Sequence, residues 1–547
     1  SLCETMSIQA NHFRCDKLLL PVILVMDYTA NEPAFGEIMK TILQYLEKNA
    51  LKFPDKTLFS DIENSISYPE FIDKCKKTAS GLKPALNDKR NMPIAVFDNR
   101  NIGTLTGMFS VLYSGNYYVV LDSNSPAERL QKILDVIKPV IILYSSGNET
   151  LLKTLSHTAK AFDLAELEKN EADEDFIKSV RDNMISADPM YALFTSGSTG
   201  TPKGTVLSHA NVINYVSWFT ECFDINENTV FGNQTPFYFS MSVSDIFGTV
   251  MAGATFNIIP KLYFSFPIRL VKFMNDRKIN AIYWVPSALS IVANIKLFDY
   301  EKPLYLTKVM FAGEVMPNKQ LNYWRKSLDN VMFANLFGPT ETTDICTYYI
   351  VDRPFSDDES LPIGRHCDNC DTFIVDESNN EITAPGVVGE LYVRGSFVAY
   401  GYYDNPEKTS SAFVQNPLNP HYPETVYKTG DLVKLNEFGE YVYAGRKDFQ
   451  IKHMGYRIEL GEIETAAGAL EKVNSAVCVY DGAKDLIVMI YEGKLKPDDL
   501  LTGIKAKVPY YMVPNTVIKV AGMPINANGK IDRNYLKNNY ESLIKKD

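Results

Sequence analysis

Phe194-Thr195-Ser196-Gly197-Ser198-Thr199-Gly200-Thr201-Pro202-Lys203-Gly204 alternates hydroxyls with glycines and then presents a lysine behind a proline. Backbone N–H groups freed by a glycine-rich turn make a nest for phosphate oxygens, and the hydroxyls add donors. A lysine a few residues on can reach a terminal phosphate. A Walker A loop needs Gly-Lys-Ser/Thr in sequence. Here Lys203 stands between Pro202 and Gly204, which rejects that loop.

Around this loop, strand-like and helix-like segments alternate. Residues 93–97 form an apolar strand candidate, 102–113 read as helix with Gly115 just past its end, and 117–121 are again strand-like. Ser125-Pro126 opens a helix with Leu130, Ile133, Leu134 and Ile137 on one face, and 140–144 follow as a buried strand. The charged run 166–178 reads as one solvated helix leading to the strand before the phosphate loop. This β-α-β rhythm predicts an α/β chain of mostly parallel, helix-covered sheets. The pattern changes near Gly445, after which helices and short strands come close together. The expected organisation is an N-terminal extension over 1–35, a large domain over 36–445 and a small mobile α+β C-terminal domain over 446–547, joined by a hinge. The first helix proper is expected around Ile38, Ile42, Leu43, Tyr45 and Leu46.

With 547 residues the chain is too long for one compact core. A net charge of −11 and no Lys/Arg-rich block argue against a nucleic-acid footprint, so positive charge for a nucleotide must be supplied locally. Eight cysteines make no disulfide framework in so long a chain, which points to a reducing cytoplasm. Cys367 and Cys370 form a C-x-x-C beside His366, but no partner ligands stand at zinc spacing. The apolar run 18–26 contains Pro21 and is too short to span a bilayer, and no cleavage site follows it.

Four further landmarks follow in order. They are Asn335-Leu336-Phe337-Gly338-Pro339-Thr340-Glu341, then Tyr427-Lys428-Thr429-Gly430-Asp431, then Gly445-Arg446-Lys447-Asp448 leading to Gly455-Tyr456-Arg457-Ile458-Glu459, and Asn528-Gly529-Lys530-Ile531-Asp532-Arg533. The constellation resembles the adenylate-forming superfamily, and within it the amino-acid adenylation domains of nonribosomal peptide synthetases. Stand-alone D-alanine–carrier-protein ligases look closest, given Gly313-Glu314-Val315 and Asp448-Phe449-Gln450-Ile451-Lys452. The resemblance covers about residues 36–540.

That resemblance implies two half-reactions: an acid attacks the α-phosphate of ATP to give acyl-AMP and pyrophosphate, and the phosphopantetheine thiol of a carrier protein then takes the acyl group. Because two anions must meet, the site has to neutralise a carboxylate and a triphosphate together. The family pattern puts Thr195, Ser196, Gly197, Ser198, Thr199 and Gly200 on the β- and γ-phosphates, with Lys203 nearby as a mobile loop lysine. Glu341 would hold Mg²⁺, Thr340 after Gly338 would touch the α-phosphate, and Phe337 would lie against the adenine. Gly313, Glu314 and Asn335 would line the adenine pocket, while Asp431 would accept from both ribose hydroxyls with Tyr443 and Arg446 beside it. Lys530 would bridge the substrate carboxylate and the ribose near the α-phosphate, and Asp448 would be the hinge about which the Gly455 region swings to a thiol channel. The resemblance thus implies ATP and Mg²⁺, a carboxylic and most simply amino acid, and a phosphopantetheinylated carrier protein that is either a separate protein or another part of a longer synthetase; neither nucleic acid nor membrane, a monomer. A coenzyme A ligase of the same superfamily and a silent nucleotide-binding scaffold are the alternatives.

The acyl pocket departs from the pattern. Ser240 stands where α-amino-acid enzymes of the family usually carry the aspartate that pairs with the substrate ammonium. A serine supplies no charge, and a buried ammonium without a counter-ion is costly. Asp344 is the replacement candidate for an amine displaced from the usual site, whereas Asp245 is read as structural. The same alignment lines the pocket with Met241, Ser244, Tyr283, Met310, Ala312, Leu336 and Ile345, closed near the carboxylate by Phe239.

Overall fold

A computed structural model describes residues 39–197, 200–357, 359–448, 450–525 and 531–544. The expected extension over 1–35, the 18–26 run, and Ser198, Thr199 and Lys530 lie outside the described residues. Strands Pro93–Asp98, Tyr117–Asp122, Ile141–Tyr144, Lys160–Asp163 and Pro189–Thr195 run parallel in a seven-stranded sheet. Lys203–Ser208 and Gly401–Tyr402 extend its edge in the antiparallel sense. Every residue of Pro93–Asp98 and Tyr117–Asp122 is buried, because helices cover both faces of a parallel sheet.

A nine-stranded sheet carries the next part of the chain. Its parallel centre holds Val230–Asn233, Ala281–Trp284, Lys308–Phe311 and Met332–Phe337, and Thr347–Ile350 closes one side antiparallel. Helix Ile102–Tyr113 is apolar almost all round, as suits a helix buried between layers rather than lying on a surface. Its N-cap is Asn101, whose side chain accepts from Thr104 N–H. A third, five-stranded sheet is built of antiparallel strands from Cys370–Val375 to Tyr441–Arg446.

Beyond residue 450 the hairpin Gln450–His453/Tyr456–Glu459 is followed by the sheet of Val473–Asp481, Leu486–Gly493 and Thr516–Val520. Helices Leu460–Gly468, Pro497–Lys505 and Arg533–Ile544 pack with these strands around apolar clusters made only of residues from this part of the chain.

Two local expectations are corrected. The run 166–178 is not one helix but parts of two, Leu164–Leu167 and Glu174–Asn183, because Asp163 and Asp173 each accept a backbone N–H and start a new helix. Helix Ala127–Ile137 takes Pro126 as its N-cap residue, since the Ser125 hydroxyl is turned to Asp122 instead. Cys367 and Cys370 are buried thiols that donate to the carbonyls of Ile345 and Cys346. Among the described residues no helix is long and apolar enough to cross a membrane.

Candidate active site

The phosphate-loop candidate joins two antiparallel strands whose last paired residues are Thr195 and Lys203. A Cβ on Gly197 would stand 2.1 Å from the Thr201 carbonyl, so the turn closes only around glycine. Gly200 N–H donates to the Gly197 carbonyl at 2.9 Å and adopts φ +76°. The Thr195 hydroxyl is buried and meets no hydrogen-bond partner among the described residues, a donor left open beside the turn.

Ser196 and Gly197 are covered by the second strand of the hairpin and the helix that follows it. Ser196 Oγ donates to the Arg457 carbonyl at 2.7 Å and accepts from Glu459 N–H at 3.1 Å. Gly197 N–H donates to Glu462 Oε2 at 3.3 Å, and Glu462 is itself paired with the buried Arg129. A carboxylate thus occupies backbone donors suited to an anion.

Glu341 lies beside the loop, fully buried. Its Oε1 accepts from Tyr402 OH at 2.6 Å and from Lys203 Nζ at 3.2 Å, and its Oε2 accepts from Arg457 Nη1 at 2.7 Å. Burial would raise this carboxyl, but Arg457 and Lys203 outweigh it and hold the group well below the usual carboxylate range. Lys203 is lowered as well, to about 8, because burial and the competing Arg457 charge exceed its own attraction to Glu341. The mobile loop lysine is therefore corrected. Lys203 is the first residue of a strand, and cross-strand pairing with Thr195 fixes its side chain on Glu341.

A cleft of about 990 Å³ gathers Gly313, Glu314, Asn335, Leu336, Phe337, Tyr443, Arg446 and Asp448. The Phe337 and Tyr443 rings lie 5.9 Å apart, and Lys452 Nζ stands 4.3 Å over the Phe337 ring. Glu314 faces away from free use, accepting from Ser287 N–H at 2.8 Å and from Gly455 N–H at 2.7 Å. Arg446 grips Asp448 through two N–H groups at 2.7 and 2.8 Å and lies 2.9 Å from Asp431 Oδ1. Its N–H groups miss that oxygen, which has charge compensation but no hydrogen bond and can take a hydroxyl.

A small cavity of about 40 Å³ adjoins the cleft and is bordered by Phe239, Ser240, Met241, Ala312, Thr340, Asp344, Ile345 and also by Asp431. Thr340 Oγ1 is 3.3 Å from Ser240 Oγ. Ser244 and Tyr283 reach this cavity indirectly, by donating to Asp344. Met310 is fully buried in its strand and borders none of these cavities, and Leu336 faces the larger cleft. On the other side of Phe239 a channel of about 1180 Å³ runs past Tyr238, Val285, Tyr456 and Tyr510.

These residues fit a nucleoside triphosphate and a hard divalent cation. The turn and the open Thr195 hydroxyl suit phosphate, the open Asp431 oxygen suits a diol, and the Glu341 carboxylate, which already answers two cationic side chains, suits an oxygen-seeking metal.

The sequence model of the family described as AMP-binding enzyme matches residues 46–403. The L-proline–[L-prolyl-carrier protein] ligase of Streptomyces coelicolor is 31% identical over 85% of this chain and 91% of its own length. The chain belongs to the AMP-binding enzyme family.

This AMP-binding enzyme is also 31% identical to gramicidin S synthase 2 of Aneurinibacillus migulanus over 93% of its length, yet spans only 11% of that relative. Against tyrocidine synthase 3 of Brevibacillus parabrevis it is 29% identical over 91% of its length and spans 8% of the relative. In fold it is similar to the Vibrio cholerae adenylation domain AlmE, solved with glycyl-adenosine-5′-phosphate, with a TM-score of 0.79 over 94% of this chain and all of that one at 21% identity. Several residues of the AMP-binding enzyme's site carried no signal of their own in the sequence. Tyr402, Arg129 and Tyr215 lie in ordinary apolar or helical runs, and Arg457 and Glu462 were legible only as neighbours of the Gly455 motif.

Proposed function

We propose that the protein activates a small amino or related carboxylic acid with ATP and then passes the acyl group to the phosphopantetheine thiol of a carrier protein. The observation that carries this reading is a single cavity bordered at once by Thr340, by the diol-accepting Asp431 and by the acyl-pocket residues Ser240 and Asp344. A nucleotide's α-phosphate and an acid's carboxylate brought there are within bonding reach of one another.

In the first half-reaction a carboxylate oxygen bonds to the α-phosphorus, the bond to the bridging oxygen breaks, and pyrophosphate leaves. The loop N–H groups and the Thr195 hydroxyl hold the departing phosphates, Thr340 orients the α-phosphate, and Asp431 with Arg446 fixes the ribose. A Mg²⁺ ion held at Glu341 supplies neutralisation of the phosphate charge. Lys530 is assigned by its motif to the charge that builds between carboxylate and α-phosphate. Its replacement by alanine is expected to lower the exchange rate by ~10²–10³. In the second half-reaction the thiol sulfur bonds to the acyl carbon, its proton is lost, and AMP leaves through the opposite cleft.

The hairpin position supports an alternation between the two steps. Gly455 sits against Glu314 and Val285 beside the channel that ends at Phe239, a path of the right kind for a long thiol arm. In this arrangement Arg457 holds the Glu341 carboxylate and Glu462 holds the loop N–H, charges of the same sign as a metal ion and a phosphate. Docking of residues 450–468 and occupation by metal and pyrophosphate are therefore alternatives, exchanged by rotation about Asp448. ATP–pyrophosphate exchange with a panel of α-amino, β-amino, hydroxy and aryl acids tests the first step. Absence of exchange with every acid rejects it. Loading of a phosphopantetheinylated carrier tests the second, and AMP release with free coenzyme A and no carrier would select the coenzyme A alternative.

A further inference from the structure

Asp344 is a buried carboxylate that no cation answers among the described residues. It is 1% exposed, and Tyr215 OH, Ser244 Oγ and Tyr283 OH donate to its Oδ2 at 3.1, 2.7 and 3.1 Å. The nearby Ser240 hydroxyl also favours the charged form of the carboxyl. Among the described residues it forms no ion pair, whereas Glu341 pairs with Lys203 and Arg457, Asp431 with Arg446, and Glu462 with Arg129. Buried Asp245, Asp98 and Glu459 also form no ion pair among the described residues, but Asn233 holds Asp245, backbone N–H groups of Arg100 and Phe237 hold Asp98, Gln450 holds Glu459, and none of the three borders the acyl cavity. Asp344 does border it.

Hydroxyls orient a carboxylate without neutralising it, and a buried charge of this kind is answered at least cost by a ligand of opposite charge. Burial raises the group only to about 6, so it stays anionic at neutral pH. The cavity is also polarised along its length. Arg446 and Lys452 border both it and the nucleotide cleft, while Asp344 closes the acyl end. Ser240 borders the same cavity, 3.3 Å from Thr340, and it offers no charge beside the reacting carboxylate. An ammonium next to the carboxylate would face Ser240, and one set further along the carbon chain meets Asp344.

The geometry points to a short zwitterionic substrate whose ammonium lies beyond the α-carbon, a β- or ω-amino acid, with Asp344 as its counter-ion. Tyr215, Ser244 and Tyr283 act as positioning residues that aim the carboxylate. This rests on the adenylation reading above and names its substrate class.

The test is ATP–pyrophosphate exchange by the full chain with β-alanine, γ-aminobutyrate, L-alanine and the uncharged 3-hydroxypropanoate, for the wild type and Asp344→Asn. The expected result is that a β- or ω-amino acid exceeds both L-alanine and 3-hydroxypropanoate by at least ~10-fold. Asp344→Asn should lower its kcat/KM by ~10²–10³ with the KM for ATP unchanged, and narrow the gap to the uncharged acid. Tyr283→Phe should raise the KM for the amino acid more than it lowers kcat. L-Alanine or the uncharged acid as the better wild-type substrate, or an Asp344→Asn enzyme of unchanged preference, overturns the assignment. Thermal stabilisation by each acid alone is read in parallel and separates the two claims. Stabilisation of the wild type but not of Asp344→Asn by the β- or ω-amino acid supports Asp344 even if no acid supports exchange, an outcome that would sink adenylation instead. Equal stabilisation of both proteins, or none of either, counts against it.

Discussion

Carboxylates of one site take different work from their neighbours. Asp431 keeps one oxygen without a hydrogen bond because Arg446 supplies charge but not a properly aimed N–H. Asp431→Asn should raise the KM for ATP by ~10–100-fold, since hydrogen bonds to a charged group contribute about 1.5–3 kcal/mol. Steady-state kinetics at saturating acid check this, and an unchanged KM for ATP would remove Asp431 from the ribose. Asp245 also leaves one oxygen, Oδ1, without a hydrogen bond among the described residues, but it has no cation beside it and borders none of the cavities. Burial pushes its carboxyl up to about 8, with Asn233 as its main hydrogen-bond donor and Asp344 adding to the rise. The folded group therefore binds its proton more tightly than an unfolded aspartate near 3.9. Its contribution to stability is fully present below about pH 4 and is lost as pH rises through about 8. Urea unfolding at a series of pH values should show a falling midpoint across that window, and Asp245→Asn should flatten it. Asp344, about 6, works in the same direction at lower pH, with Tyr191, Tyr215, Tyr283 and Asp245 as the titratable groups facing it.

At the level of elements, cap chemistry and periodicity carried most of what the sequence disclosed. Helix Ile102–Tyr113 begins after Asn101 and stops before Gly115, whose φ of +74° suits glycine. The break between Leu164–Leu167 and Glu174–Asn183 was hidden because both stretches are charged and periodic, and only the N–H each aspartate captures separates them. The Gln450–Glu459 hairpin turns on Met454-Gly455 with Gly455 at φ +80°, where a Cβ would meet Val285 Cγ1 at 2.3 Å. Gly455→Ala is thus expected to push the hairpin off Glu314 and Val285. Single-turnover transfer from acyl-adenylate to carrier should slow by ~10-fold or more while ATP–pyrophosphate exchange stays near wild type. Equal slowing of both steps would show that the hairpin is not specific to thiol transfer.

Across the whole molecule, the contacts of residues 450–468 with the large sheets are electrostatic at their centre: Arg457 to Glu341 and Glu462 to Arg129. Both pairs are buried, so breaking one by removing a partner leaves an unanswered charge worth ~3–5 kcal/mol. Arg129→Ala should weaken docking for that reason, whereas conditions that occupy the phosphate loop should compete with it directly. Limited proteolysis around residues 446–448 is expected to accelerate on addition of Mg²⁺ with pyrophosphate, and Arg129→Ala should cleave faster without it. Protection that ignores both the ligand and the substitution would reject the exchange of charges.

The chain's own order of residues determined the class of fold and the family to which it belongs. Buried parallel strands, helix caps and a turn that closes only around glycine are local consequences of composition and spacing, and the ordered motifs carry the nucleotide chemistry. Which charges meet was decided only by folding. Lys203 and Glu341 are separated by 138 residues and Arg129 and Glu462 by 333, and no periodicity relates them. The same holds for Asp344, whose three hydroxyl partners come from two helices and a strand. Their convergence on one oxygen follows from packing of layers, which brings side chains together through space regardless of their distance along the chain.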